Sequence, residues 1–331
     1  MEQRDFGRTG MKVSVFGFGC GAVGGLMVRG EPADQERAVA RALDVGINYF
    51  DTAVQYGNGA SETNLGRVWA KLKPKAYVGT KIRFTQAERR NIAAAAAASL
   101  DGSLKRLGMD HVDVFHLHNA ITLDGADESF SVKMVLEDVV PAFEALRQQG
   151  KTRFLGITAV GDTAALHQVV DSGAFQSAQV SYNMLNPTAG MTVPDGYPAQ
   201  DYARLLDHTM VAGVGTIGIR ALAAGALSGS AARHPIASAP PEPIGSAMSY
   251  DADLERARRL MPLVENGYAA NLAEAATRFV ISNPAISTVL VGMATNEEFE
   301  AALAAVQAGP LPAAALAQLA SLRQAFVGEA R

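Results

Sequence analysis

Eight short runs rich in β-branched and aromatic residues alternate with longer helix-like stretches along this chain. The strand-like runs are Val13–Gly19, Ile47–Thr52, Ala76–Lys81, Val112–His118, Thr152–Thr158, Ala178–Asn183, Val214–Arg220 and Ser287–Met293. Helical spacing occupies the intervals near Asp34–Val45, Ser61–Lys71, Gln86–Leu107, Val135–Gln149, Asp162–Ser172, Gln200–Ala212, Ala270–Ser282 and Thr295–Val306. Strands that each lead into a helix predict a parallel sheet, and eight such units predict a closed (β/α)8 TIM barrel. The runs are nearly continuous in apolar residues, as expected of strands covered on both faces. Barrels of this kind reach 331 residues as one unit, so residues 1–331 are read as a single barrel domain. Asp5–Val13 reads as a hairpin with a Gly-rich turn capping one barrel end, and Ala313–Phe326 as an extra C-terminal helix.

A composition of 48% hydrophobic and 19% charged residues supplies ample core for such a fold. The net charge of −4 and the lack of Lys/Arg blocks argue against nucleic-acid or anionic-membrane partners. Cys20 is the only cysteine, which excludes an internal disulfide and suits a reducing compartment. With no signal-peptide pattern at the N-terminus and no apolar stretch of membrane-spanning length, a soluble cytoplasmic protein is expected. Ser228–Tyr250 contains Pro235, Pro240, Pro241 and Pro243 and is too long and broken for a routine connection; segments like it commonly cover a binding site.

In a (β/α)8 barrel the chemistry lies at the C-terminal ends of the strands. Asp51 ends the second strand-like run, Lys81 the third and His118 the fourth, and Tyr56 follows Asp51 by five residues. Reducing a carbonyl by hydride transfer leaves a developing alkoxide that needs a positioned acid. A phenol ordinarily titrates near 10, and a neighbouring ammonium favours phenolate. Tyr56 is therefore the candidate acid, Lys81 the cation that lowers its proton affinity, Asp51 the partner holding Lys81 charged, and His118 the residue that orients the substrate oxygen. Arg220 ends the seventh run and is a candidate for a phosphate, a substrate carboxylate or a structural ion pair.

The stretch from Gly46 to Trp69 resembles the aldo/keto reductase signature, with Asp51 five residues before Tyr56 and a Glu62-x-x-Leu65-Gly66 helix start. Lys81 and the Asp113-to-His118 strand extend the likeness, as do Gly156–Thr158, Gln179–Asn183, Arg220–Gly229 and Val291–Glu300. Resemblance to this family implies reversible reduction of aldehydes or ketones, or oxidation of the matching alcohol or sugar hemiacetal, with NAD or NADP. It also implies cofactor contacts: Asp51 near the nicotinamide ribose, and Thr158 and Gln179 at the carboxamide. Gly19 falls in the first loop; Arg220, Leu222 and Gly225 lie along the pyrophosphate, and Gly292, Thr295 and Glu298 beside the adenosine ribose. Ser228–Tyr250 becomes a flap over the cofactor. The expected partner is a small carbonyl or sugar substrate. The alternative reading is a non-catalytic, cofactor-sensing subunit, and retention of all four candidate catalytic residues argues against it.

Three departures from the family pattern bear on the cofactor. Thr158-Ala159 replaces a Ser-Asn pair, Ile219 replaces an aromatic that stacks on the nicotinamide, and Ala294–Glu300 has no basic residue. The last argues for NAD, whereas the family more often uses NADP; a 2′-phosphate is normally met by cations. Two other patterns are set aside. Gly19–Gly24 matches G-x-G-x-x-G, but that motif needs a helix opening at once, and none is expected before about Asp34. His116 and His118 share one strand face as in metal-dependent hydrolases, yet His111, His167, His208 and His234 fall at no strand end, so no metal is expected.

Overall fold

The computed structural model describes residues 1–239 and 249–329. Eight parallel strands close into a barrel: β1 (Phe16–Gly19), β2 (Tyr49–Asp51), β3 (Tyr77–Ile82), β4 (Val112–Leu117), β5 (Thr152–Ala159), β6 (Ser177–Ser181), β7 (Gly215–Ile219) and β8 (Thr288–Val291). Each strand pairs with its neighbours in sequence, and β8 closes on β1. The (β/α)8 expectation holds.

Val13 and Ser14 do not belong to the first barrel strand. Lys12–Ser14 pairs antiparallel with Gln3–Asp5, and the barrel strand begins only at Phe16. The hairpin brings Phe6, Met11 and Val13 into a buried cluster with Tyr49, Val114 and Ile217, so it plugs the barrel at the end away from Asp51 and Lys81.

Several helix boundaries move for identifiable reasons. Gln86–Leu107 resolves into a 3₁₀ turn, Glu88–Asn91, and a helix, Ile92–Leu107, with the Asn91 side chain accepting from the Ala94 N–H. Within Val135–Gln149 the first turn is a π-turn, Val135–Val139, because Pro141 brings no N–H to the α register. Gln200–Ala212 shrinks to Leu205–Val211. The Gln200 carbonyl is taken by Asn186 and Thr188 side chains, and Ala203 and Arg204 have positive φ, so no helix can start earlier. Among the described residues, the helices Leu26–Arg29, Tyr250–Arg258 and Pro262–Glu265 have no counterpart in the sequence-based expectation. Ser249 caps Tyr250–Arg258 through the Ala252 N–H, and aspartates in its first turn and arginines in its last suit the helix dipole. The remaining helices, Ala313–Gln324 included, fall within two or three residues of expectation. Pro240, Pro241 and Pro243 lie outside the described residues.

The Glu62-x-x-Leu65-Gly66 pattern has a structural explanation. Glu62 is fully buried; its carboxylate accepts from Thr80 Oγ1 and Arg106 Nε, each at 2.6 Å, tying β3 to two helices. Leu65 enters the core. A Cβ at Gly66 would sit 2.4 Å from the Arg106 carbonyl oxygen, so Gly66 permits the Ala60–Leu72 helix to press against the end of Ile92–Leu107. Gly66→Ala is expected to lower stability by roughly 1–3 kcal/mol through overpacking, read as a lower urea midpoint with an unchanged slope.

Candidate active site

Asp51, the last residue of β2, stands between two glycines: Gly19 and Gly79 are its register partners on β1 and β3. That leaves room for a carboxylate inside the barrel mouth. A Cβ at Gly79 would come within 2.5 Å of the buried Tyr49 hydroxyl. Asp51 Oδ1 accepts from Lys81 Nζ at 2.5 Å, and the same ammonium donates to the Thr52 carbonyl at 2.8 Å. Both side chains are buried, Lys81 completely. An ammonium so fully removed from water needs a paired charge, and Asp51 provides it.

Burial holds the Asp51 carboxyl above its usual range, against the opposing pull of Lys81 and Gln179. Burial also pulls Lys81 down, but Asp51 and Tyr56 outweigh it and keep the ammonium charged. Tyr56 reaches this pair from the loop after β2. A turn with positive φ at Gly57, Asn58 and Gly59 reverses the chain into the following helix and leaves Tyr56 at the bend, half-buried. Lys81 Nζ lies 4.9 Å from the Tyr56 ring centroid.

The net effect on the phenol differs from the sequence-based expectation. Burial raises its proton affinity above the ordinary value of 10, and Lys81 only offsets part of that rise. Tyr56 is therefore a protonated phenol at neutral pH, with an ammonium beside it to stabilise a charge left on its oxygen.

His118 follows β4 directly, its N–H donating to the Ile82 carbonyl at 2.8 Å, and its ring meets Tyr56 edge-on at 6.2 Å. Burial, Lys81, Arg83 and Arg220 push its pKa down to about 3, so the imidazole is neutral. Its buried Nδ1 has no hydrogen-bond partner among the described residues. His116 is deeper and fully buried, with Nε2 3.2 Å from Ser177 Oγ. Among the described residues no group of three His, Cys, Asp or Glu could hold a metal ion.

Thr158 on β5 and Gln179 on β6 are register partners next to this centre. Thr158 Oγ1 donates to Gln179 Oε1 at 3.3 Å, and Gln179 Nε2 donates to Asp51 Oδ2 at 2.7 Å. Arg220 begins the turn after β7 with φ of 58°, followed by Leu222 and by Gly225 at φ of 108°. Burial pulls the Arg220 guanidinium down, and Ile219 before it packs toward the interior cluster.

Across the rim, Gly292 follows β8. Thr295 caps the Asn296–Gln307 helix by accepting the Glu298 N–H, and Glu298 returns a bond to the Ala294 N–H at 2.6 Å. The glycines after β1 are also engaged in packing. A Cβ at Gly24 would meet Met293 backbone at 2.2 Å, and Leu26 N–H donates to the Met293 carbonyl. A short turn, Leu26–Arg29, and a helix from Pro32 start earlier than expected, but the first N–H of that turn is already used.

Arginines from a remote helix border the acidic rim, which the sequence reading missed. Arg41 pairs with Glu300 at 2.7 Å, and the Arg37 charge helps lower the Glu297 pKa, behind bonds from the Glu297 backbone and the Thr295 side chain. Both arginines lie on Pro32–Asp44, some 260 residues earlier in the chain. Their four-residue spacing puts them on one helix face, which was the only available signal. Asn119 was also overlooked; buried beside His118, it ties the Phe84 backbone to the Glu128 carbonyl and so shapes the loop after β4.

Comparison with known proteins agrees with this geometry. The Aldo/keto reductase family profile matches residues 15–324. The chain belongs to this family. It is 30% identical to an L-galactose dehydrogenase of Arabidopsis thaliana over 314 residues, covering 92% of this chain and 88% of the relative. A putative voltage-gated potassium channel subunit beta of Schizosaccharomyces pombe is 28% identical over 92% of this chain and 88% of its own length. An aldo-keto reductase of Bacillus halodurans, solved in its holo form, shares the fold with a TM-score of 0.69 at 23% identity, covering 100% of this chain and 98% of that one. The family places the chain among oxidoreductases.

Removing Lys81 should expose what the pair costs. Lys81→Met leaves the Asp51 carboxylate buried without its cation, with an expected loss of about 3–5 kcal/mol. Losing the cation raises the folded-state pKa of Asp51 further. The folded variant then binds its proton more tightly than the unfolded chain, and stability falls as pH rises through that value. The deficit relative to wild type, from urea midpoints, should be larger at about pH 8 than at about pH 5.

Proposed function

We propose that this protein transfers hydride between a nicotinamide cofactor and a small aldehyde or ketone, or the matching alcohol or sugar hemiacetal, with Tyr56 as the proton donor. The observation that carries this reading is the wholly buried Lys81, paired with Asp51 at 2.5 Å and 4.9 Å from the Tyr56 ring. A buried ion pair against a protonated phenol has a clear use where negative charge develops on an oxygen.

The chain's donor set suits the cofactor. A nicotinamide carboxamide offers both N–H and carbonyl groups, and the Thr158 hydroxyl and Gln179 amide on adjacent strands offer matching acceptors and donors. Arg220, Leu222 and Gly225 would follow the pyrophosphate, and Gly292, Thr295 and Glu298 would face the adenosine ribose. When bound, the nicotinamide supplies or accepts the hydride. His118, neutral and with Nδ1 unpartnered, best carries its proton on Nε2 and donates that bond to the substrate oxygen. Tyr56 then gives its proton to the same oxygen, while Lys81 stabilises the phenolate that remains. In oxidation the proton returns to Tyr56.

The substrate is a small carbonyl or hydroxy compound. The dehydrogenase names of two relatives, for L-galactose and pyridoxal, support an alcohol or hemiacetal among its substrates. Retention of Tyr56, Lys81, Asp51 and His118 favours an enzyme over a cofactor-sensing subunit, although one relative carries a channel-subunit name. The single, buried cysteine supports a reducing compartment such as the cytoplasm. No described helix is long and apolar enough to cross a membrane.

Tyr56→Phe should lower turnover by about 100-fold or more while cofactor affinity, read by fluorescence quenching, stays near wild type. Wild-type turnover in that variant would remove Tyr56 as the acid. Because the phenol must be protonated for reduction and its pKa is raised, kcat/KM for reduction should hold through neutral pH and fall only above 10. The acidic rim, with Arg37 and Arg41 already beside carboxylates, predicts NADH affinity equal to or greater than that for NADPH. Strong selection of NADPH in equilibrium titrations would contradict this.

A further inference from the structure

Gln179 is bonded on both sides. Its Oε1 accepts from Thr158 and its Nε2 donates to Asp51, the carboxylate that already holds Lys81. The amide orientation follows from chemistry: reversed, its carbonyl oxygen would face a carboxylate oxygen at 2.7 Å, acceptor against acceptor. All members of the Thr158–Gln179–Asp51–Lys81 chain are buried, so each bond acts with little competition from water.

We propose that Gln179 is a positioning residue for the acid–base centre, acting on Tyr56 through Asp51 and Lys81 in addition to any contact with cofactor. This rests on the reading of Tyr56 as proton donor. Asp51 is buried and accepts one bond from an ammonium and one from an amide. The amide bond stabilises the ionised carboxylate. Without it, Asp51 becomes more basic and takes a larger share of the Lys81 proton, while the pair stays ionic. Less positive charge then faces Tyr56, its phenolate loses part of its stabilisation, and its proton affinity rises. The amide has a second N–H and a second lone pair on oxygen, so Gln179 can hold Asp51 and meet a carboxamide at once. One side chain thereby couples cofactor position to the state of the acid.

The test is an absorbance titration at the tyrosinate band on cofactor-free protein. Subtracting Tyr56→Phe from wild type isolates Tyr56 from the other tyrosines, and the same subtraction is made in a Gln179→Met background. The expected result is a Tyr56 midpoint raised by about one unit in Gln179→Met, or about tenfold less tyrosinate at a given pH. The alkaline limb of the reduction profile should move with it. Thr158→Val, which frees the amide to turn away, should shift the midpoint in the same direction by less; it serves if Gln179→Met does not fold. An unshifted Tyr56 midpoint in a folded variant, with only cofactor affinity reduced, would overturn the proposal. Full turnover in Tyr56→Phe would instead overturn the proton-donor reading, and the titration would still report whether Gln179 tunes the phenol.

Discussion

An ammonium and a carboxylate sealed inside a barrel mouth are costly, and most of what surrounds Asp51 and Lys81 can be understood as making that arrangement possible. Desolvating two charges costs several kcal/mol per ion, and only close geometry with additional hydrogen bonds repays it. Thr52 and Gln179 provide those additional bonds here, one to each partner. The resulting unit holds a positive charge at a fixed place beside Tyr56, where water would otherwise screen it.

The barrel supplies the rigidity. Glycines at positions 19 and 79 flank Asp51 in register, so the carboxylate has lateral space while its backbone remains in the sheet. Beneath it, the N-terminal hairpin packs Phe6, Met11 and Val13 against Tyr49 and Val114, excluding water from that end. Lys81 is anchored from behind as well: Thr80, its neighbour on β3, is bonded to the buried Glu62, and Glu62 to Arg106. Tyr56 sits just before a left-handed turn between β2 and its helix. Loop residues placed by a rigid frame are the usual carriers of function in this architecture.

Much of this was legible in the sequence because two periodicities carried it. Strand runs separated by helical runs gave the architecture, and the strand-end rule drew Asp51, Lys81 and His118 to one place. Departures arise where a contact distant in sequence decides. The helix before β7 starts late because Asn186 and Thr188 capture the Gln200 carbonyl, which no local pattern around Gln200 signals. The capped helix at Tyr250 was hidden behind a proline-rich segment, although Ser249 and its charge order marked it. The direction of the Tyr56 shift depends on how far burial outweighs a neighbouring cation, a balance fixed by three-dimensional packing. Arg37 and Arg41 reach the acidic rim from the far end of the chain, so a local window around Ala294–Glu300 showed only its carboxylates.

Lys81 is the charge on which the proposed role of Tyr56 as acid depends. The most direct measurement follows oxidation of NADH and NADPH, by absorbance, against a panel of small aldehydes, ketones and aldoses with wild type and Lys81→Met, both first shown to be folded and to bind cofactor. Wild type should consume reduced cofactor with at least one carbonyl, and Lys81→Met should be slower by about 100-fold or more. Comparable rates for the two proteins would contradict the account.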